Sequence, residues 1–252
     1  MMLKKGEITV VQLKIDEYAP GNFDEEKHLA YLLVAIDYTQ GGLQWLRSDI
    51  RVVCWNTYSA ALNKLDKIRI PNSSKADNTL EFLAKVQEVT VQDQAEHVRK
   101  MNLLFERKVT TEEATTIVDA AFPDPKESSR MRIAQLEASK EIGGQLATDF
   151  FKMVNEDEGR YAWATSRTKK LRAEVGNNLV NFNSEHAYAK DTAYAWFQSV
   201  TQTIDHSALF TGSADKRAVS RMLGNQKKLK NAAFDAALEL VGEGKPKKKS
   251  RK

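Results

Sequence analysis

The spacing of the hydrophobic residues changes once along this 252-residue chain, and that change constrains the fold more than any other feature. From Glu7 to Ile70 the apolar residues lie in short alternating or continuous runs that are separated by turn signals, which is typical of strands. From Ser74 onward they recur at helical spacing. The sequence therefore predicts an α+β fold with a small antiparallel sheet in the first third and a helical remainder packed on it.

The predicted sheet has the order strand, strand, strand, helix, strand. Its strands are Glu7–Ile15, His28–Tyr38, the first part of Gln44–Leu62, and Lys67–Ile70, with a short helix that begins at Asn56-Thr57. We expect a single α+β domain over residues 1–242, with the sheet in 7–70 and the helical part in 75–242. Residues 243–252 are expected to form a disordered basic tail.

The helical part is predicted to contain several helices and one loop. The helices are Ser74 to about Arg107, Thr110 to about Phe122, about Ser128 to Val154, Tyr161–Glu174, the aromatic helix His186–Ile204, Ala214–Met222 and Asn225–Val241. The asparagine-rich stretch Gly176–Ser184 is predicted to be a loop.

The third strand carries the main candidate site. Residues 45, 47, 49, 51, 53 and 55 share one face of a strand, and this places Arg47 and Arg51 between Trp45 and Trp55. Flat aromatic rings and guanidinium groups are what a single-stranded nucleic acid needs for its bases and phosphates. The alternative is that a helix covers this face and that the arginines pair with carboxylates.

Other cations extend this candidate nucleic-acid site. Beside the platform we expect phosphate contacts from Lys64, Lys67 and Arg69, and outer electrostatic contacts from Lys227, Lys228 and Lys230. The last eight residues, KPKKKSRK, contain six of the 38 Lys and Arg residues. The rest of the chain, here called the body, has 32 basic and 34 acidic residues and therefore a net charge of −2. The body is therefore not a bulk polycation. The tail either attracts phosphate in a salt-sensitive way or only improves solubility.

Composition and the usual chemical motifs favour a cytoplasmic protein that is not an enzyme. Cys54 is the single cysteine, so an intramolecular disulfide cannot form. No apolar run approaches the length of a membrane span, and the first residues do not resemble a signal peptide. The sequence contains no GxxxxGK[ST], GxGxxG, HExxH, CxxC or GxSxG motif. We therefore expect no cofactor and no metal site.

Two carboxylate features bear on whether the chain has a catalytic site. Asp205-His206 joins a carboxylate and an imidazole in sequence, but adjacent residues on a helix point about 100° apart, so a cap and a hydrogen-bonded core histidine are favoured over a dyad. Asp24-Glu25-Glu26 lies in a turn and is interpreted as solvated loop charge.

Three stretches resemble a known family. Ile50-Arg-Val-Val-Cys-Trp-Asn-Thr57 is similar to the RVVCxNT signature of the phage and plasmid proteins that share a domain of unknown function, number 932. Asp191–His206 resembles the second signature of that family, which runs from a GTAW-like start to a terminal Asp-His, and Lys228–Lys230 matches its closing Lys-Leu-Lys. Asp191 stands where the family pattern usually has glycine.

The resemblance places the chain among proteins of mobile elements, and its predicted opening looks like the core of phage single-strand annealing proteins. It implies a single-stranded DNA-binding, ATP-independent annealing protein that acts as a ring or filament of subunits in a bacterial host cell, with a host or phage recombination protein as a further partner. The alternative from another class is a phage interaction or counter-defence protein that binds a host protein through the aromatic helix His186–Ile204.

Overall fold

The computed structural model describes residues 2–3, 8–37, 42–51, 56–61, 92–124, 162–222 and 224–243. Five strands form one antiparallel sheet in sequence order. They are β1 (Met2–Leu3), β2 (Ile8–Tyr18), β3 (His28–Asp37), β4 (Gly42–Arg51) and β5 (Asn56–Ala61). The predicted α+β class is confirmed.

Helices make up the rest of the described chain. They are α1 (92–106), α2 (Thr111–Ala121), α3 (Ala162–Glu185), α4 (Ala193–His206), α5 (Ala214–Met222) and α6 (Asn225–Leu240). Single 3-10 turns occur at Pro20–Asn22, Asp24–Glu26 and Ala187–Ala189.

The hairpin of β2 and β3 is long and continuous. Its register runs from Ile8 opposite Asp37 to Tyr18 opposite His28, with a β-bulge between Lys14 and Asp16. The turn that closes it includes Gly21, whose φ of 66° is the left-handed conformation that glycine adopts without strain. A Cβ at this position would lie 2.5 Å from the Phe105 ring, so the turn packs closely on α1.

Helix α4 lies at the centre of the hydrophobic core. Tyr194, Phe197, Val200 and Ile204 are fully buried in it, and it packs against α2, α3, α6 and β5. A helix that is apolar on most of its circumference is stable only when neighbours cover it. Its hydroxyl side chains are satisfied within the helix, since Ser199 Oγ donates to the Ala195 carbonyl at 2.8 Å.

The residue before the cap of α4 has a left-handed backbone conformation. Asp191 has a φ of 59°, a left-handed conformation that glycine adopts freely and that asparagine and aspartate tolerate best among other residues. The Asn183 side-chain amide donates to Asp191 Oδ1 at 3.1 Å and supports the carboxylate there. Thr192 then caps the helix, because its Oγ1 accepts a hydrogen bond from the Ala195 amide at 3.1 Å.

Two predicted elements are wrong. Asn56–Ala61 is a strand that pairs with β4, not a helix, because its backbone gains the hydrogen bonds of the sheet, which outweigh the helix propensity of its alanines. Gly176–Ser184 is the second half of α3, not a loop, since Val175, Leu179 and Phe182 are buried at helical spacing.

Other boundaries agree or shift slightly. Helix α5 has the predicted limits, and α2 begins with a complete capping box between Thr110 and Glu113. The aromatic helix begins at Ala193 after a 3-10 turn, not at His186. Glu243, which the sequence placed in the tail, ion-pairs with Arg99 at 2.9 Å. The predicted strand Lys67–Ile70, the helix Ser128–Val154 and tail residues 244–252 lie outside the described residues.

Candidate nucleic-acid interface

A buried carboxylate joins the sheet to the helices. Glu26, in the turn before β3, is fully buried. Its carboxylate accepts hydrogen bonds from both Nε and Nη2 of Arg51, and Nη2 lies 2.8 Å from Oε2. The hydroxyls of Tyr194 and Tyr188 donate to its two oxygens at 2.6 and 2.8 Å. Burial alone would raise the pKa of Glu26, but the Arg51 guanidinium and the phenols hold that pKa below 4.5. We name this group the Glu26 junction.

Two histidines extend the Glu26 junction outward. His28 Nε2 lies 2.6 Å from the Tyr194 hydroxyl, and His186 Nδ1 lies 3.0 Å from the Tyr188 hydroxyl. Because each phenol gives its single proton to Glu26, each of these ring nitrogens is the donor in its contact. Burial lowers the pKa of His28 to about 3, and it also lowers the pKa of His186. Both imidazoles are therefore neutral at pH 7.

The Glu26 carboxylate has no acceptor site left for chemistry. Each of its oxygens accepts one hydrogen bond from Arg51 and one from a tyrosine, and the carboxylate is excluded from solvent. The Arg51 guanidinium also lies 4.7 Å from the centroid of the Phe182 ring in α3. This arrangement fixes β4 against the helices and positions no reactive group.

A second buried ion pair closes the far end of α4. Lys230 Nζ in α6 lies 2.5 Å from Asp205 Oδ1, and both side chains are buried. The Arg221 side chain donates a hydrogen bond to the Asp205 carbonyl oxygen, one of the backbone acceptors at the end of α4 that have no partner within the helix. Burial lowers the pKa of Lys230, and the Asp205 carboxylate opposes this change. We name this group the Asp205 junction.

A basic cavity lies next to the Asp205 junction. It has a volume of about 120 Å³ and is bounded by α3, α5, the start of α6 and the segment that follows α4. Three of its lining residues are cationic: Arg167, Lys216 and Arg217. The others are Phe210, Thr211, Ser220 and Gln226, and no carboxylate is among the described residues that line it.

The cations of the basic cavity differ from most other cations on the described surface. Arg99, Lys100 and Arg107 each pair with a glutamate. Within the described residues, by contrast, neither Arg167 nor Lys216 nor Arg217 has a carboxylate partner within 4.0 Å.

Two side chains fix the polar geometry of the basic cavity. Arg167 donates to the Leu209 carbonyl at 3.0 Å, and its guanidinium lies 5.7 Å from the Phe210 ring centroid. Gln226 is 2% exposed and donates to the Ile204 carbonyl at 2.6 Å. Its Oε1 has no hydrogen-bond partner among the described residues. The cavity thus combines positive charge, one aromatic face and one unused acceptor.

The structure corrects two of the predicted site residues. Arg51 is 2% exposed and bound to Glu26, so its guanidinium cannot reach a phosphate, and the alternative of a covered face with an arginine–carboxylate pair holds at this position. Lys230 is fully buried against Asp205 and makes no outer contact. A long side chain that has a buried carboxylate within reach gains more from pairing than from solvation.

The remaining predicted residues fall into three groups. Lys228 is exposed and Lys227 is half-buried. Trp45 and Arg47 lie in β4 opposite Val34 and Leu32, but their side chains are outside the described set. The residues that lie wholly outside the described segments are Trp55, Lys64, Lys67 and Arg69.

Two further expectations from the sequence are wrong. His206 is exposed at the end of α4, and Asp205 is the buried member of that pair, so the expectation of a core histidine fails. Glu26 is fully buried rather than solvated loop charge, whereas its neighbours Asp24 and Glu25 are exposed as expected. Most of the aromatic helix belongs to the core, since Tyr194 and Phe197 are fully buried, whereas Trp196 is half-buried.

The pattern of charges along the sequence does not predict the basic cavity. Its cations are spread over two helices 50 residues apart, and only the turn after α4 brings them together. The available signal was Phe210, a lone aromatic residue in a turn-rich stretch that is followed by Lys216 and Arg217.

Fold and site together define an α+β protein whose three signature stretches meet at buried ion pairs. Arg51 of the first stretch and Tyr194 of the second both bind Glu26, and Asp205 of the second pairs with Lys230 of the third. The chain belongs to the family described as Domain of unknown function (DUF932), whose model matches residues 39–233. No curated protein and no solved structure matches the chain.

Among the described residues there is no group of three or more His, Cys, Asp or Glu side chains that could hold a metal ion. In the same segments no helix is both long enough and apolar enough to cross a membrane.

Proposed function

We propose that this protein binds single-stranded DNA and promotes annealing of complementary strands without nucleotide hydrolysis. The observation that carries the proposal is the basic cavity, where three cations without a described carboxylate partner line the same space as one aromatic ring. Phosphates favour such cations because binding releases condensed counterions, and a base can stack on the ring.

Annealing requires that the backbone charge is neutralised while the bases stay accessible to a second strand. A cavity of about 120 Å³ is smaller than the roughly 300–1,000 Å³ of a typical small-molecule site, so it holds one unit of a longer ligand and leaves the neighbouring units outside. The proposal extends to an assembly of subunits, a ring or filament, on the strand of a phage or mobile element in a bacterial cell.

The first test measures binding of a fluorescent, hydroxyl-ended single strand by anisotropy between 50 and 300 mM salt. A variant with Arg167→Gln, Lys216→Gln and Arg217→Gln should lower the slope of log K against log salt by about 0.7, since the cavity holds one unit of the strand and each lost phosphate contact on a single strand is worth about 0.7.

The matched control removes three surface cations that already have carboxylate partners, with Arg99→Gln, Lys100→Gln and Arg107→Gln. This control changes net charge equally and should lower the slope by less than half as much. Equal losses in both variants would show that only overall charge matters, and absence of single-strand binding by the wild type would refute the proposal.

A second test follows annealing directly. Complementary strands with a fluorophore and a quencher should anneal faster in the presence of the protein without added nucleotide, and both strands should remain intact with magnesium or manganese. Strand cleavage that depends on either metal would contradict the annealing function. Mass measurement of the complex with and without the strand tests the predicted assembly.

A further inference from the structure

We infer that the basic cavity recognises the phosphorylated end of a single strand, with the terminal nucleotide stacked on Phe210. This inference rests on the proposed function and gives the cavity a specific ligand: a nucleotide that carries a phosphomonoester. An internal phosphate of the strand has one negative charge, whereas a phosphomonoester has about 1.5 to 2 charges at pH 7 and three acceptor oxygens.

The donors around the cavity match that group in charge and number. Arg167, Lys216 and Arg217 supply positive charge, and Thr211 and Ser220 can each donate a hydroxyl proton. A dianion gains more than a monoanion from three cations that no described carboxylate neutralises, because hydrogen bonds between charged partners are the strongest ones.

The position of Phe210 favours a nucleotide over inorganic phosphate. Its ring lines the same cavity and lies 5.7 Å from the Arg167 guanidinium, which leaves an aromatic surface beside the cations. A base stacked on such a ring gains about 1–3 kcal/mol. Inorganic phosphate has no group that could use this surface.

Gln226 supplies an independent sign that the cavity is built for a ligand. Its side chain is 2% exposed, and its Oε1 is a buried acceptor without a partner among the described residues. Such an atom carries an unfavourable desolvation energy until a donor reaches it. A base of the terminal nucleotide offers that donor through its N–H groups, whereas the phosphate oxygens do not.

The test compares two otherwise identical fluorescent strands, one with a 5′-phosphate and one with a 5′-hydroxyl, and repeats the comparison at the 3′ end. The wild type should bind one phosphorylated strand about tenfold more tightly at 150 mM salt, which corresponds to about 1.4 kcal/mol. Unlabelled mononucleotide should compete better than inorganic phosphate or phosphotyrosine.

Variants assign the preference to the cavity. Lys216→Gln with Arg217→Gln should remove the difference between phosphorylated and hydroxyl ends, and Phe210→Leu should reduce the advantage of mononucleotide over inorganic phosphate. Both cations are exposed, so these changes leave the fold intact. The variant Arg99→Gln with Lys100→Gln is the control and should keep the full preference.

The outcomes separate this inference from the proposed function. If the wild type binds phosphorylated and hydroxyl-ended strands equally, or if the preference survives in the Lys216 and Arg217 double variant, end recognition is refuted while single-strand binding stands. If no strand binds, the proposed function itself fails. Competition by phosphotyrosine as strong as that by mononucleotide would assign the cavity to another class of ligand and overturn the inference.

Discussion

Glu26→Gln is the change that tests most directly whether the Glu26 junction holds the sheet to the helices. The amide keeps the shape of the side chain but removes its charge and replaces one acceptor oxygen by a donor. Arg51 then keeps a buried charge without a compensating anion, and one tyrosine hydroxyl meets a donor in place of an acceptor. Removing one partner of a buried ion pair typically costs about 3–5 kcal/mol.

That loss is a large part of the 5–15 kcal/mol that stabilises a typical domain. Urea unfolding, followed by far-UV circular dichroism, should show a clear fall in the midpoint for Glu26→Gln. The matched control is Glu17→Gln, which breaks the partly exposed pairs with Lys14 and Lys27. Exposed pairs are worth about 0–1 kcal/mol, so the control should remain close to the wild type.

A double variant separates buried charge from packing. Glu26→Leu with Arg51→Met removes both charges, while the hydroxyls of Tyr194 and Tyr188 keep their histidine partners. The double variant should therefore be more stable than Glu26→Gln. A loss below about 1 kcal/mol in Glu26→Gln, or a double variant that is less stable than this single variant, would refute the reasoning.

Three further changes test other parts of the structure. Burial lowers the pKa of His28 from 6.5 to about 3, so below pH 6.5 the unfolded chain binds a proton that the folded chain excludes. The free energy of unfolding should therefore fall by up to about 1.4 kcal/mol for each pH unit below 6.5. Urea unfolding at pH 7, 6 and 5 should show a smaller dependence of this free energy on pH for His28→Phe than for the wild type. Gly21→Ala puts a methyl group against Phe105 at a left-handed position and should cost about 1–3 kcal/mol in thermal unfolding; an unchanged melting temperature would contradict this. Asp191→Val should be less stable than Asp191→Gly by about 1–2 kcal/mol, because only glycine adopts its φ freely; equal stabilities would mean that the turn relaxes.

Local signals in the sequence were sufficient for elements whose ends are marked by caps and turns. Helix α2 begins at a capping box and ends before Pro123, and α5 has its predicted limits. The signals failed where tertiary contacts decide the conformation. Asn56–Ala61 has alanines that suit a helix but pairs with β4, and the asparagines after Gly176 remain helical because Leu179 and Phe182 are buried between them.

The candidate site was less predictable than the fold because charge in a sequence does not reveal its partner. Arg51 and Lys230 were reasonable choices for phosphate contacts, but each meets a buried carboxylate from a distant part of the chain. Arg167 and Lys216 became candidates only once the fold placed them around one cavity and left them without a described carboxylate partner. Unpaired charge is a property of three-dimensional proximity, which sequence spacing does not determine.

The separation of the partners in the Glu26 junction has a consequence for synthesis of the chain on the ribosome. Roughly 140 residues lie between Arg51 and Tyr194. The sheet therefore leaves the ribosome long before α4, the helix whose Tyr194 hydroxyl donates a hydrogen bond to Glu26. At about 5–20 residues per second this interval lasts roughly 7–30 s. During it the hairpin of β2 and β3 can pack on α1, but the Glu26 junction lacks its two tyrosines, so fragments that end before α3 should aggregate or be degraded. We therefore expect the nascent protein to become resistant to proteases when α4 attaches.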